Sequence, residues 1–167
     1  MKDANEKTVS FFERRIGLYG SGQLLQPRQE MADWRFEACL RQLWIDPYET
    51  VLDVGCGVGD LLEFYRRKNL PRPSQFHGVD IAPKLVDLAL QKAMTDWEGD
   101  EYMKHVKTMF RTVDVLSSAW WPTFLDDEYD RVFLVGVFGR KEALMGEQDR
   151  FFLNALDQAF THCRRSC

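Results

Sequence analysis

The chain has 167 residues, 45% hydrophobic and 29% charged, which suits one soluble globular domain with a buried core and is too short for two. A net charge of −4 gives no general pull toward nucleic acid, no apolar run reaches the roughly 20 residues of a membrane span, and Met1-Lys-Asp-Ala-Asn-Glu-Lys lacks a signal-peptide core, so a cytoplasmic location is expected. The four cysteines (Cys39, Cys56, Cys163, Cys167) are scattered, which argues against a disulfide framework, and His162 with Cys163 and Cys167 falls short of the usual four zinc ligands; no metal is expected.

In chain order, Val9, Phe11, Phe12 and Ile16 give an amphipathic helix over 7–16, followed by the Gly17-Leu-Tyr-Gly-Ser-Gly22 turn and Pro27. A second helix is predicted over 28–44, with Met31, Trp34, Ala38 and Arg41 on one stripe, before Pro47 stops it. Residues 1–46 thus read as a helical lead-in and 47–167 as the main domain. Beyond Pro47, β-rich runs alternate with helical stretches, the pattern of a parallel sheet wrapped by crossover helices. Strands are predicted at Thr50–Val54, Gln75–Asp80, 109–114 and 131–135. Helices are predicted at 60–68, 84–94 and 147–163, with 102–107 extending the second crossover. The fold class is therefore α/β, a mainly parallel sheet in a three-layer sandwich.

The strand Val51-Leu-Asp-Val54 runs directly into Gly55-Cys-Gly-Val-Gly59, and a helical pattern opens at Asp60. Glycines at 55 and 57 permit close approach of a ligand to bare backbone, while Gly59 lets the following helix pack near the strand. Asp80 ends the second strand 23 positions after Gly57, where a carboxylate accepts hydrogen bonds from ribose hydroxyls. Asp114 ends the third, where it is a candidate acceptor for an exocyclic adenine amine. Either aspartate alone also suits a simple turn cap; the glycine turn beside them favours nucleoside binding. A dinucleotide fingerprint is the nearest competitor, but Asp60 stands where its third glycine belongs, and Asp53 precedes the turn.

The V-L-D-V-G-C-G-V-G-D run resembles motif I of class I S-adenosylmethionine-dependent methyltransferases. Gly78-Val-Asp-Ile81, Val113-Asp-Val-Leu116 and the fourth-strand run from Tyr129 to Phe138 extend the resemblance over 50–138. It implies a Rossmann-like fold with strand order 3-2-1-4 and S-adenosylmethionine as cofactor. Asp53 and the backbone at Gly55, Cys56 and Gly57 would surround its methionine part. Asp80 would hold the ribose, and Ile81 would flank the adenine. Asp114 and Val115 would lie at the adenine edge, and Gly136 near the methyl-donor end. No catalytic base is assigned, because positioning alone supplies much of the catalysis of methyl transfer.

After the fourth strand, Leu134-Val-Gly-Val-Phe-Gly139 stands where amine methyltransferases resemble one another in Asn/Asp-Pro-Pro-Tyr. The acceptor is therefore expected to be a small molecule or a protein rather than a nucleic-acid base. The family resembles itself in seven strands and only four are read here, so the sheet is expected to stop after the fourth. That strand would be an exposed edge, either because the sequence is a fragment or a natural truncation, or with another copy or a different chain completing the sheet. The second reading of function is accordingly a non-catalytic binding or assembly module with a methyltransferase-like pocket.

Overall fold

A computed structural model of the chain describes residues 2–19, 29–41, 43–114, 129–135 and 148–166. Two helices lead in, α1 (Lys2–Tyr19) and α2 (Gln29–Leu40). The parallel strands β1 (Thr50–Val54), β2 (Gln75–Asp80), β3 (Lys107–Thr112), β4 (Tyr129–Phe133) and β5 (Cys163–Ser166) then alternate with α3 (Asp60–Arg67), α4 (Pro83–Thr95) and α5 (Gln148–His162). The sheet order is β3-β2-β1-β4-β5. The chain thus works outward from β1 to β3 and returns to the other side of β1 at β4. A crevice opens at the carboxyl ends of the strands where such a reversal occurs.

The central strand explains itself chemically. Residues 51–54 are buried on both faces, as expected of a parallel strand covered by helices above and below. Val51 and Phe76 face a core shared with Phe36 and Leu40 of α2, Leu61, Leu62, Phe64 and Tyr65 of α3, and Val86 and Ala89 of α4. Leu52, Val54, Val79 and Val132 face the other way, toward Ala155 and Ala159 of α5. The result is three layers, as the alternating pattern predicts. In α3, Asp60 and Glu63 lie in the first turn and Arg66 and Arg67 in the last, each sign complementing the helix dipole. Pro83 opens α4, where its missing N–H is not needed.

Several boundaries differ from the sequence expectation. Both β3 and β4 begin two residues earlier than periodicity placed them, because pairing sets their limits. Gln75 through Asp80 match Lys107 through Thr112, and Val51 sits opposite Arg131. Helix α1 includes Gly17, read from sequence as the start of a turn; residues 20–28 lie outside the described set. Helix α2 stops at Leu40 rather than Trp44, with Leu43 N donating to Leu40 O at 3.0 Å. The expected helical extension at 102–107 is one turn of 3₁₀ helix, Met103–His105.

The larger correction concerns the sheet edge. The sequence reading left the outer side of β4 open, but β5 pairs with it in parallel, Tyr129 opposite Cys163 and Arg131 opposite Ser166. A sheet ending at its fourth strand and a partner chain completing the β4 edge are both set aside, since that edge is filled by the chain itself. Among the described residues, no helix is long and apolar enough to cross a membrane.

Candidate functional site

The site begins where β1 runs out of strand. Gly55 N and Cys56 N both donate to Val79 O, at 2.7 and 3.0 Å, hooking the glycine turn onto the end of β2. Gly57 then sits at φ +56°, and a Cβ built there would meet no atom within 4 Å. The turn therefore presents bare backbone to open space. At φ +79°, Gly59 is different, since a Cβ there would lie 3.2 Å from the Trp97 ring and 3.3 Å from Phe110. Its lack of a side chain lets α3 start close against these two rings, the packing role expected from sequence.

Asp80 ties the turn to the start of α4. Its Oδ2 accepts from Gly57 N at 3.0 Å and its Oδ1 from Ala82 N at 2.9 Å. The residue is only 7% exposed, and burial raises its pKa above the ordinary carboxylate value, against the lowering effect of the Ala82, Gly57 and Ile81 amides. Asp53 lies deeper, 4% exposed on the α3 face of β1. Burial, then the negative charges of Asp80 and Asp60, push its pKa up to about 8. Among the described residues, the charges that act on its carboxylate are the negative ones of Asp80 and Asp60, with no counter-charge. A cation entering the crevice would meet a buried acid ready to ionise. Cys56 is buried beside it, and burial with the neighbouring aspartates raises its pKa well above the usual thiol value. It is a packed neutral thiol rather than a nucleophile.

Of the residues singled out from sequence, Asp53, Gly55, Cys56, Gly57, Asp80 and Ile81 come together at the carboxyl ends of β1 and β2. Asp114 lies just past β3 and is exposed; the preceding Val113 N donates to Asp80 O at 2.8 Å, so the strand end is joined to the site. Val115 and Gly136 lie outside the described residues. Two features went unread in the sequence. Asp60, noted there only as a departure from dinucleotide spacing, adds charge against Asp53 and is paired with Lys92 at 3.2 Å. Phe12 and Ile16 of α1 pack on Val58, Ala82 and Leu85, so the lead-in helix lies against both turns of the site. Its apolar periodicity was legible, but its partner was not. Among the described residues, no cluster of His, Cys, Asp or Glu has the makings of a metal site.

Comparison with known proteins fits this architecture. YjhP from E. coli superposes with a TM-score of 0.58 at 17% identity, over 92% of this chain and 51% of that one. Magnesium protoporphyrin IX methyltransferase (ChlM) from Synechocystis PCC 6803, solved with bound SAH, gives 0.52 at 23% identity, over 95% and 64%. An S-adenosylmethionine-dependent methyltransferase from Clostridium acetobutylicum gives 0.52 at 14% identity, over 95% and 53%. The chain thus spans between 51% and 64% of the length of these proteins, and the likeness shows a shared Rossmann-like fold. No curated protein matches at the level of sequence. The methyltransferase-domain family model matches residues 51–147, more than half of the chain, and covers the glycine turn, both strands that carry the buried aspartates, and the strand beyond the reversal. The chain belongs to the methyltransferase-domain family.

Proposed function

We propose that the chain binds S-adenosylmethionine in the crevice between the β1 and β2 turns and supports transfer of its methyl group to a small-molecule or protein acceptor. The observation that carries this reading is the open backbone at Gly57, fixed by the Asp80 carboxylate and backed by the buried Asp53, which meets no counter-charge among the described residues. When bound, the cofactor supplies a methyl group made electrophilic by its sulfonium. The chain's own residues supply placement. Each Asp80 oxygen already accepts one backbone N–H and keeps a lone pair for a ribose hydroxyl. Asp53, once ionised, offsets the positive charge of the methionyl ammonium in a site that water reaches poorly. Ile81 offers a half-buried apolar surface to the adenine and Asp114 borders its edge, while Val115 at that edge and Gly136 toward the methyl donor are assigned by the family resemblance alone. No described residue is assigned as a base, because an acceptor lone pair held in line with the methyl needs orientation above all.

The test is titration calorimetry of the purified chain with S-adenosylmethionine and with S-adenosylhomocysteine. Saturable binding is expected with Kd in the range of about 1 µM to 1 mM that enzymes match to their substrates. Absence of heat at millimolar ligand overturns the assignment.

A further inference from the structure

A second concavity lies at the opposite end of the sheet from the glycine turn. It is an open groove of about 730 Å³ between the end of α2, the segment that leads into β1, and the end of α3. Leu40, Leu43, Trp44, Ile45, Phe64 and Leu70 give it an apolar floor, and Glu37, Arg41 and Lys68 stand on its rim. Exposed aromatic residues occur in it and on the segments that carry it: Trp44 in its lining is 81% exposed, Trp34 on α2 65% and Tyr48 before β1 66%. Tyr48 also sits at φ +69°, a left-handed conformation unfavourable for a bulky residue, with its N–H held by Arg72 O at 2.7 Å beside Pro71. Surface tryptophan, tyrosine and arginine around an apolar hollow are the composition of an interaction surface.

We infer that this face is a self-association surface, and that its occupant is a second copy of the chain related by a two-fold axis. The argument is self-complementarity. Trp34, Glu37 and Arg41 follow one another at helical spacings of three and four, so they line a single exposed stripe of α2. The stripe carries both signs of charge one turn apart, and the small, exposed Ala38 lies beside it. If two copies lay α2 antiparallel about an axis crossing this stripe midway between Glu37 and Arg41, Glu37 of each would face Arg41 of the other, matching charge twice. The same register lays Trp34, about 7.5 Å along α2 from the axis at 1.5 Å per residue, against the other copy. One register therefore satisfies both charge pairs and covers both exposed Trp34 side chains. Lys68, 2.8 Å from Glu37 within its own chain, would sit at the margin of that pair.

Sedimentation equilibrium of the full chain over about 1–100 µM tests this, since association responds to protomer concentration. A species of twice 19.6 kDa is expected at the upper concentrations. Arg41→Glu places acid against acid and is expected to weaken the dimer by about tenfold or more, while the double reversal Glu37→Arg with Arg41→Glu restores it. Trp34→Ala is expected to dissociate the dimer with an unchanged circular dichroism spectrum. A chain that stays at 19.6 kDa throughout overturns the inference, as it would if a small molecule or a different protein were the groove's occupant. A dimer indifferent to both Arg41→Glu and Trp34→Ala also overturns it, as does a folded double reversal that remains monomeric. If the double variant does not fold, the two single variants still decide.

Discussion

Asp53 illustrates how a single residue joins stability to binding. In the folded chain its pKa is raised from 3.8 to about 8, chiefly by burial and then by Asp80 and Asp60. The folded state therefore keeps this proton over a pH interval in which the unfolded chain has lost it. Stability from this group is fully present below the unfolded pKa and falls as pH rises through the folded one. Asp53→Asn removes the titration, so its melting temperature is expected to gain on the parent's steadily between about pH 4 and pH 8. The advantage at the upper end should be at least about 1 kcal/mol. Melting curves of both proteins across this range check it, and parallel curves would show that Asp53 does not titrate in the fold. The same substitution is expected to weaken cofactor binding at least about tenfold, through loss of a buried charge facing the ligand's cation. In the parent, binding should release a proton below pH 8, detectable by calorimetry in buffers of different ionisation enthalpy.

Among the elements, the turn after β1 and the middle of β2 use glycine for opposite reasons. At Gly57 nothing stands near the missing Cβ, whereas at Gly78 a Cβ would fall 2.6 Å from Phe110 Cδ1 and 2.9 Å from Cys56 Sγ. Gly57→Ala is expected to cost about 1–2 kcal/mol, the left-handed backbone penalty, yet to lose most cofactor affinity because its methyl enters the ligand's space. Gly78→Ala is expected to cost about 1–3 kcal/mol by overpacking β2 against β3, and to disturb binding only through that loss. Denaturant melts and ligand titrations of the pair separate the two roles; equal effects on binding at equal stability would contradict the assignment. The glycine turn was legible in sequence because its neighbours in the chain are its neighbours in space. The limits of β3 and β4 were not, since their ladders run to residues far away in sequence. In β5, Cys163-Arg-Arg-Ser166 carries neither alternation nor β-branched residues, and only the ladder with β4 makes it a strand.

Across the whole molecule, a buried ion pair joins residues 82 apart. Arg131 Nε donates to Glu49 Oε2 at 2.5 Å and its Nη2 to Glu49 Oε1 at 3.0 Å, with a further bond from Nη2 to Trp44 O. Both side chains are almost wholly buried, and Asp46 N also donates to Glu49. The pair fastens the segment between α2 and β1 to the start of β4, at the end of the sheet away from the crevice. Glu49→Ala removes the carboxylate beside a buried guanidinium and is expected to destabilise the chain by about 3–5 kcal/mol, whereas replacing both partners with apolar residues should recover much of the loss. Urea denaturation of the single and double variants measures this, and a single-variant loss under about 1 kcal/mol would contradict the burial of the pair.

By itself the sequence determined the α/β class, the three-layer plan, the first two strands and the meeting of Asp53, Gly55, Cys56, Gly57, Asp80 and Ile81. Each rests on local periodicity, or on a turn whose shape follows from a few adjacent residues. Tertiary structure alone decided that β5 closes the outer side of β4, that Asp53 is buried with no counter-charge among the described residues, and that α1 lies against both turns of the site. It alone placed an apolar groove with a charged rim at the far end of the sheet. Those features depend on pairing, desolvation and packing between segments distant in the chain, and such energies exist only once the segments are brought together.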